Sequence, residues 1–324
     1  MSLRVGVIGT GVMGAEHARL LREEIRGAHL AAVADADPAR AAAAAGGAVV
    51  FTDPLALIAD GGVDAVVVAT PDATHGALAR ACLDAAKPVL CEKPLAASTA
   101  EALELIAAEV ALGRRLIQVG YMRRFDPAYL EMRATLATGR IGAPVLLHNI
   151  HRNLRAPDWF TGSMALTNSF VHEIDISRWL LGSEMVGARI VAGPGDEPLM
   201  VTMTTDKGEI VSTEVSVNGG YGYHVHAELV GRVGTVAMAG PSLTGTNAAG
   251  HHGHDWPENW VPRFAEAYRR QMDAWVRSID LGKPAGASAW DGYAASAIAE
   301  QVAEAFDRGE AVDLHLAPRP DLYR

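Results

Sequence analysis

Cysteine is almost missing from this chain of 324 residues: Cys82 and Cys91 are the only two. So few thiols exclude a disulfide scaffold and fit a reducing compartment, so a cytoplasmic protein is expected. Basic charge is also short. Lys and Arg number 28 against 38 Asp and Glu, a net charge of −10. Nucleic acid and anionic membrane surfaces both reward clustered cations, so neither is an expected partner. No apolar run approaches the roughly 20 residues that span a bilayer. The N-terminus enters a strand directly, with no basic segment leading into an apolar one, so no export signal is expected. What the chain does hold is apolar residues, 49% of the total. That is ample for real cores, and the length points to two domains.

The stretch that organises the rest is Cys91-Glu92-Lys93-Pro94. It follows Pro88-Val89-Leu90, which reads as a buried strand. Two charges at the mouth of such a strand are unusual. Pro94 stiffens the turn and biases Lys93 away from helical backbone. An ammonium held there could touch a substrate hydroxyl; a solvated charged turn is the plain alternative.

The preceding residues decide between them. Arg4 to Ile8 reads as a strand, and Gly9-Thr10-Gly11-Val12-Met13-Gly14 follows, opening an Ala/Leu/Glu-rich helix. Strand, glycine turn and helix form the context that a dinucleotide loop requires. The first glycine makes the turn, the second admits a pyrophosphate and the third packs helix on strand. The helix start then offers N–H donors to the phosphates. A second strand, Leu30 to Ala34, ends at Asp35, at the distance where an acid meets the adenosine ribose. Asp37 adds a second negative charge, and no cation is adjacent before Arg40. NAD is therefore expected over NADP. Asp37-Pro38 also reads as the start of a helix.

Strand–helix pairs continue. Val49 to Phe51 precedes Asp53-Pro54; Asp64 to Ala69 is a run suited to a parallel strand buried on both faces. Thr70-Pro71 and, further on, His75 follow it. Ser98-Thr99-Ala100-Glu101 is a capping box, and Leu116 to Val119 is a sixth strand. The alternation predicts a doubly wound parallel sheet over residues 1–120. Ligands bind beyond the carboxyl ends of such strands. The glycine loop, Thr70-Pro71 and Glu92-Lys93-Pro94 all lie there, so Lys93 faces the nicotinamide edge.

After Gly120 the pattern changes. A helix near Pro127 to Thr138 precedes a strand from Ala143 to Ile150, whose alternation extends to put Asn149, His151 and Asn153 on one face. Trp159-Phe160 sits in a loop. Residues 168–182 read as one helix, with Asn168, His172 and Asp175 on one face. A buried His satisfied by its neighbours is the plain alternative there. Five strand-like runs between 186 and 238 suggest a largely antiparallel sheet, and two amphipathic helices close the second domain, 121–324. The last helix could pack back on the first domain. His251-His252-Gly253-His254-Asp255 has a metal-site composition but no matching ligand pair. It reads as a polar loop or subunit contact, and no metal is expected.

Taken together, these residues resemble the glucose–fructose oxidoreductase and inositol 2-dehydrogenase family over nearly the whole chain. The resemblance rests on Gly9 to Gly14, Thr70-Pro71 with His75, Glu92-Lys93-Pro94 and His172-Glu173-Ile174-Asp175. Met122-Arg123-Arg124-Phe125-Asp126, His151-Arg152-Asn153 and Tyr221-Gly222-Tyr223 bring it closer to inositol 2-dehydrogenases. It implies a Rossmann domain plus an α+β domain with a large, mostly antiparallel open sheet, whose outer face forms homodimers or homotetramers. It implies hydride transfer from a secondary alcohol of a cyclitol or sugar to NAD. Lys93 and His172 would be the catalytic pair, with Asp175 orienting the imidazole. Met122, Arg124, His151, Asn153, Asn168, Tyr221 and Tyr223 would line the polyol pocket. One residue departs from the subgroup: inositol dehydrogenases usually carry Asp where Asn168 stands. A modified cyclitol, an aminocyclitol or a pyranose is therefore a possible substrate. The same fold also hosts glycosidases that retain NAD, in which NADH does not accumulate.

Overall fold

The computed structural model describes residues 2–158, 160, 162–240 and 244–324; Trp159, expected in a loop, lies outside them. The chain divides into two compact units, both discontinuous in sequence. The first comprises residues up to Phe125, Glu266–Ala294 and Pro318–Arg324; the second comprises Asp126–Ala265 and Ala295–Ala317.

The first unit opens with β1 (Leu3–Ile8), α1 (Val12–Glu23), β2 (Ala28–Ala34), α2 (Pro38–Ala45), β3 (Val49–Phe51) and α3 (Pro54–Ala59). It continues with β4 (Ala65–Val68), α4 (His75–Asp84), β5 (Val89–Cys91), α5 (Thr99–Leu112) and β6 (Ile117–Val119). The strands form one sheet in the order β3-β2-β1-β4-β5-β6, and every pair is parallel. This is the doubly wound arrangement expected. Its physical cause is burial on both faces: Ala65, Val66, Val67 and Val68 are all fully buried. A run without polar alternation is stable only under helices on both sides, each buried valine contributing about 1.5–3 kcal/mol. Local signals set the helix starts. Asp37 caps α2 by accepting from the N–H groups of Ala39 and Arg40, and Asp53 caps α3 through Leu55 N–H. Ser98 caps α5 through Glu101 N–H, while the Glu101 carboxylate reaches Ala97 N–H.

The second unit begins with α6 (Pro127–Ala137) and β7 (Pro144–Arg152), then the single turn α7 (Gly162–Met164) and α8 (Val171–Leu181). The strands β8 (Met185–Ala192), β9 (Leu199–Thr205), β10 (Ile210–Ser216), β11 (His224–Gly231) and β12 (Thr235–Ala237) follow. A small hairpin pairs β13 (Thr246–Ala248) with β14 (His251–Gly253). The long helices α9 (Trp260–Leu281) and α10 (Ala289–Arg308) and the short β15 (Val312–Asp313) complete the chain. The main sheet runs β12-β11-β7-β10-β9-β8-β15. It is antiparallel except where β10 lies parallel to β7. Along β9, buried Leu199, Val201 and Met203 alternate with outward Met200, Thr202 and Thr204. One face is therefore core and the other open.

The single helix expected over 168–182 is a correction. Ala165–Ser169 is a π-helical turn, and α-helix resumes only at Val171. The wider turn means that the spacing argument for a shared face, built on α geometry, does not carry from Asn168 to His172.

Candidate active site

In the first unit the glycine loop is shaped by backbone contact. Gly9 has φ +82°, and a Cβ there would lie 2.4 Å from the Ala69 carbonyl oxygen. A Cβ on Gly14 would lie 1.7 Å from the Gly9 carbonyl oxygen, so only glycine lets α1 approach this closely. A Cβ on Gly11 would meet nothing within 4 Å, which leaves the loop open on the side a pyrophosphate needs. Gly11 precedes Val12 and Met13 at the start of α1, and no side chain among the described residues caps that helix. A cavity of about 820 Å³ adjoins the loop, lined by Gly9, Gly11, Asp35, Arg40, Thr70 and Pro71 among others. Asp35 is buried at the end of β2 and accepts from Thr10 N–H and Thr10 Oγ1. Burial pushes its carboxyl upward, but Arg40 and these N–H and O–H donors outweigh that and hold it well below the usual carboxylate range. An open loop, a helix start and a charged carboxylate beside one cavity fit a dinucleotide.

At the end of β5, Glu92 is buried and its Oε1 lies 2.7 Å from His17 Nε2 on α1. Gly120 lies beneath this carboxylate: a Cβ there would be 2.6 Å from Glu92 Oε2. The Lys93–Pro94 peptide is cis. Burial lowers the Lys93 pKa from its ordinary value; Asp72 and Glu92 oppose this, and Arg123 adds to it. His75 is buried, with Nδ1 2.6 Å from the Pro94 carbonyl and Nε2 2.8 Å from the Thr70 carbonyl. It thus ties the loop after β4 to the loop after β5. Met122 and Arg124 are buried in a 3₁₀ turn, where Arg124 pairs with Asp291 at 3.1 Å.

The second unit holds the other predicted residues. His151, buried on β7, has Nδ1 3.0 Å from the Glu173 carboxylate on α8, which is fully buried. The Tyr223 ring meets His151 edge to face at 5.7 Å. His172, on the same helix as Glu173, is half-buried, and its Nδ1 is shielded from solvent. Asp175 is buried one turn on. Asn153 follows β7, with a buried Oδ1 that accepts no hydrogen bond among the described residues. Asn168 is exposed on the π-helical turn. Tyr221 is not in the His151 group: its hydroxyl meets His224 Nδ1 at 2.6 Å and accepts from Arg152 at 2.9 Å. Burial, with Arg152 and His226 nearby, pushes His224 down to about 4. The histidines of 251–254 lie on the exposed hairpin, where His252 bonds Asn247 and His254 bonds the Thr244 carbonyl. Among the described residues no group of three or more His, Cys, Asp or Glu could hold a metal.

Residues 3–121 match a family model described as oxidoreductase family, NAD-binding Rossmann fold, and 133–314 match its C-terminal alpha/beta domain. The chain belongs to this oxidoreductase family. It is 51% identical to inositol 2-dehydrogenase 1 of Saccharopolyspora erythraea, covering 100% of this chain and 99% of that one. It is 43% identical to an inositol 2-dehydrogenase of Acidothermus cellulolyticus, covering 100% and 98%. A solved structure of myo-inositol dehydrogenase from Lactobacillus casei, in complex with NAD(H) and myo-inositol, superposes with TM-score 0.94 at 32% identity, covering both chains fully. The expected family, fold class and NAD cofactor are thereby borne out.

Three residues of this oxidoreductase escaped sequence reasoning. His17 read as one residue of an ordinary helix; a buried polar side chain three residues after Gly14 was the available signal. Glu173 stood inside a quoted motif without a role, because its partner His151 lies 22 residues away. Asp291, the partner of Arg124, lies 167 residues away, and no local pattern links them.

Proposed function

We propose that this oxidoreductase oxidises a secondary alcohol of a cyclitol to the ketone, with Lys93 and His172 as the catalytic pair. The observation that carries the reading is Lys93: an ammonium at the carboxyl end of β5, in the unit that holds the dinucleotide loop, with its pKa lowered by burial. Support for a cyclitol comes from full-length similarity to inositol 2-dehydrogenases. NAD, held by the Gly9–Gly14 loop and Asp35, would supply the acceptor for the hydride of the carbinol carbon. His172 takes the hydroxyl proton, so the O–H bond breaks as C=O forms, and the proton passes on to solvent. Lys93 donates to the same oxygen and stabilises its developing charge. Asp175 orients the imidazole. Glu173 holds His151, which with Met122, Arg124, Asn153 and Tyr223 contacts the polyol hydroxyls.

We further propose assembly into a homodimer or homotetramer through the open face of the main sheet, where Val191, Met200 and Ile210 are exposed. Cys82 and Cys91, free and buried, support a reducing cytoplasmic setting. The mechanistic reading is tested by Lys93→Met and His172→Ala. Each is expected to lower kcat by roughly 10²-fold or more, with NAD affinity by calorimetry largely kept. Near-normal turnover in either variant would overturn the pair.

A further inference from the structure

A second cleft, of about 540 Å³, lies at the opposite edge of the first unit's sheet. Pro88 precedes β5, Leu116 precedes β6, and both line it. It therefore sits at the amino ends of strands whose carboxyl ends carry Glu92 and Gly120. A doubly wound sheet binds its ligands at the carboxyl ends, so the fold alone does not call for this cleft. Three segments of the one unit build it: the strand starts, α9 from Trp275 onward and the C-terminal tail. Among the described residues none lines both this cleft and the cavity beside Asp35. Its volume falls within the roughly 300–1,000 Å³ of small-molecule sites.

The lining is charged with one sign. Arg114 and Arg115 are its only charged members among the described residues, and neither makes an ion pair there. Glu109 feels the Arg115 charge, but its carboxylate accepts from Tyr323 Oη at 2.6 Å, from Ile117 N–H at 2.7 Å and from Leu116 N–H. Arg115 instead stands 5.7 Å from the Tyr323 ring centroid, and its buried Nε has no hydrogen-bond partner among the described residues. Gln118 is 3% exposed, and neither its Nε2 nor its Oε1 has a partner among them. Turning either group toward a ligand breaks no existing hydrogen bond, so the new bond counts in full. Trp275, Ile279 and Leu322 give the cleft an apolar wall.

We infer that this cleft is a second ligand site, for a small organic oxyanion with an apolar body. Arg114 and Arg115 meet the charged head, Gln118 bonds its edge, and Trp275, Ile279 and Leu322 cover the body. Two guanidinium groups with no acid beside them in the lining favour an anion over a neutral or cationic ligand. Their forks suit carboxylate and phosphate alike. The ligand binds alongside NAD rather than in its place, because the two clefts have separate linings. By joining the C-terminal tail to α9 and β6, it stabilises the first unit.

The experiment is titration calorimetry of the full chain with NAD saturating, so that the glycine loop cannot itself take the anion. The probes are benzoate, phenyl phosphate, inorganic phosphate and neutral benzamide. The better of the two organic anions should bind with a Kd of roughly 1 mM or tighter, and benzamide at least about tenfold more weakly. Inorganic phosphate, which lacks the body, should also bind at least about tenfold more weakly than that anion. Replacing both arginines, Arg114→Met with Arg115→Met, should weaken the bound probe by roughly tenfold or more. Gln118→Leu should weaken it a few-fold with Tm kept or raised, since a buried amide without partners is lost. Ile279→Trp, which fills the cleft from the apolar wall, should abolish binding with kcat kept. Three results overturn the inference: no binding of either organic anion by about 10 mM, benzamide or inorganic phosphate binding as tightly as the organic anion, or binding unchanged when both arginines are replaced. Failure of NAD to bind would defeat the cofactor reading instead, and the same titrations without NAD still decide this one.

Discussion

Replacing His17 with Met removes the partner of a buried carboxylate. The His17 side chain is fully buried and that of Glu92 is 10% exposed, so water cannot take over the lost bond. A hydrogen bond to a charged group contributes about 1.5–3 kcal/mol, and an orphaned buried acid costs at the upper end. An opposing effect reduces the loss. Nδ1 of His17 is buried with no hydrogen-bond partner among the described residues, and methionine removes that atom too. The net loss should be roughly 2 kcal/mol, or about 4–8 °C in Tm for a unit of this size. The effect reaches the chemistry because Glu92 directly precedes Lys93. A misplaced ammonium should lower kcat by about 10- to 100-fold. His17→Gln keeps an N–H donor near the position of Nε2, so it should recover most of both. Tm by scanning calorimetry and kcat from NADH absorbance provide the readouts. Parental Tm and kcat in His17→Met, or no recovery in His17→Gln, would refute the reasoning.

Gly14→Ala places a Cβ 1.7 Å from the Gly9 carbonyl oxygen, so the loop must open and NAD affinity by calorimetry should fall at least about tenfold. Gly11→Ala meets no atom within 4 Å, so its Tm should be unchanged while NAD affinity still falls. The alkaline limb of kcat/KM should reflect loss of the Lys93 proton below the ordinary lysine range, because burial lowers its pKa. Asp72 favours the cation, so Asp72→Asn should move that limb to lower pH, by under about one unit since Asp72 is exposed and screened. Arg123→Met removes a charge that disfavours the cation and should move it to higher pH.

Local chemistry made the first unit legible. Glycine spacing, an acid at the end of β2 and the run from Ala65 to Val68 depend on near neighbours and on one period each. The caps at Asp37, Asp53 and Ser98 are likewise local, and the structure realises all three. What escaped depends on distant pairs. His17 with Glu92 spans 75 residues and Arg124 with Asp291 spans 167, and neither leaves a periodic trace. The π-helical turn at Ala165–Ser169 escaped for another reason: nothing in those five residues marks a π turn over an α turn. Tyr221 and Tyr223 show a limit of motif reading. Two residues apart in one motif, they join different groups, the hydroxyl of Tyr221 with Arg152 and His224 and the ring of Tyr223 with His151.

The central claim is net oxidation of a cyclitol with release of NADH. It is tested by following absorbance at 340 nm while limiting enzyme is mixed with excess NAD and, in turn, myo-inositol, other inositol isomers, aminocyclitols and pyranoses. At least one cyclitol should drive NADH to many equivalents per subunit. NADH that never exceeds one equivalent with any of them would contradict it.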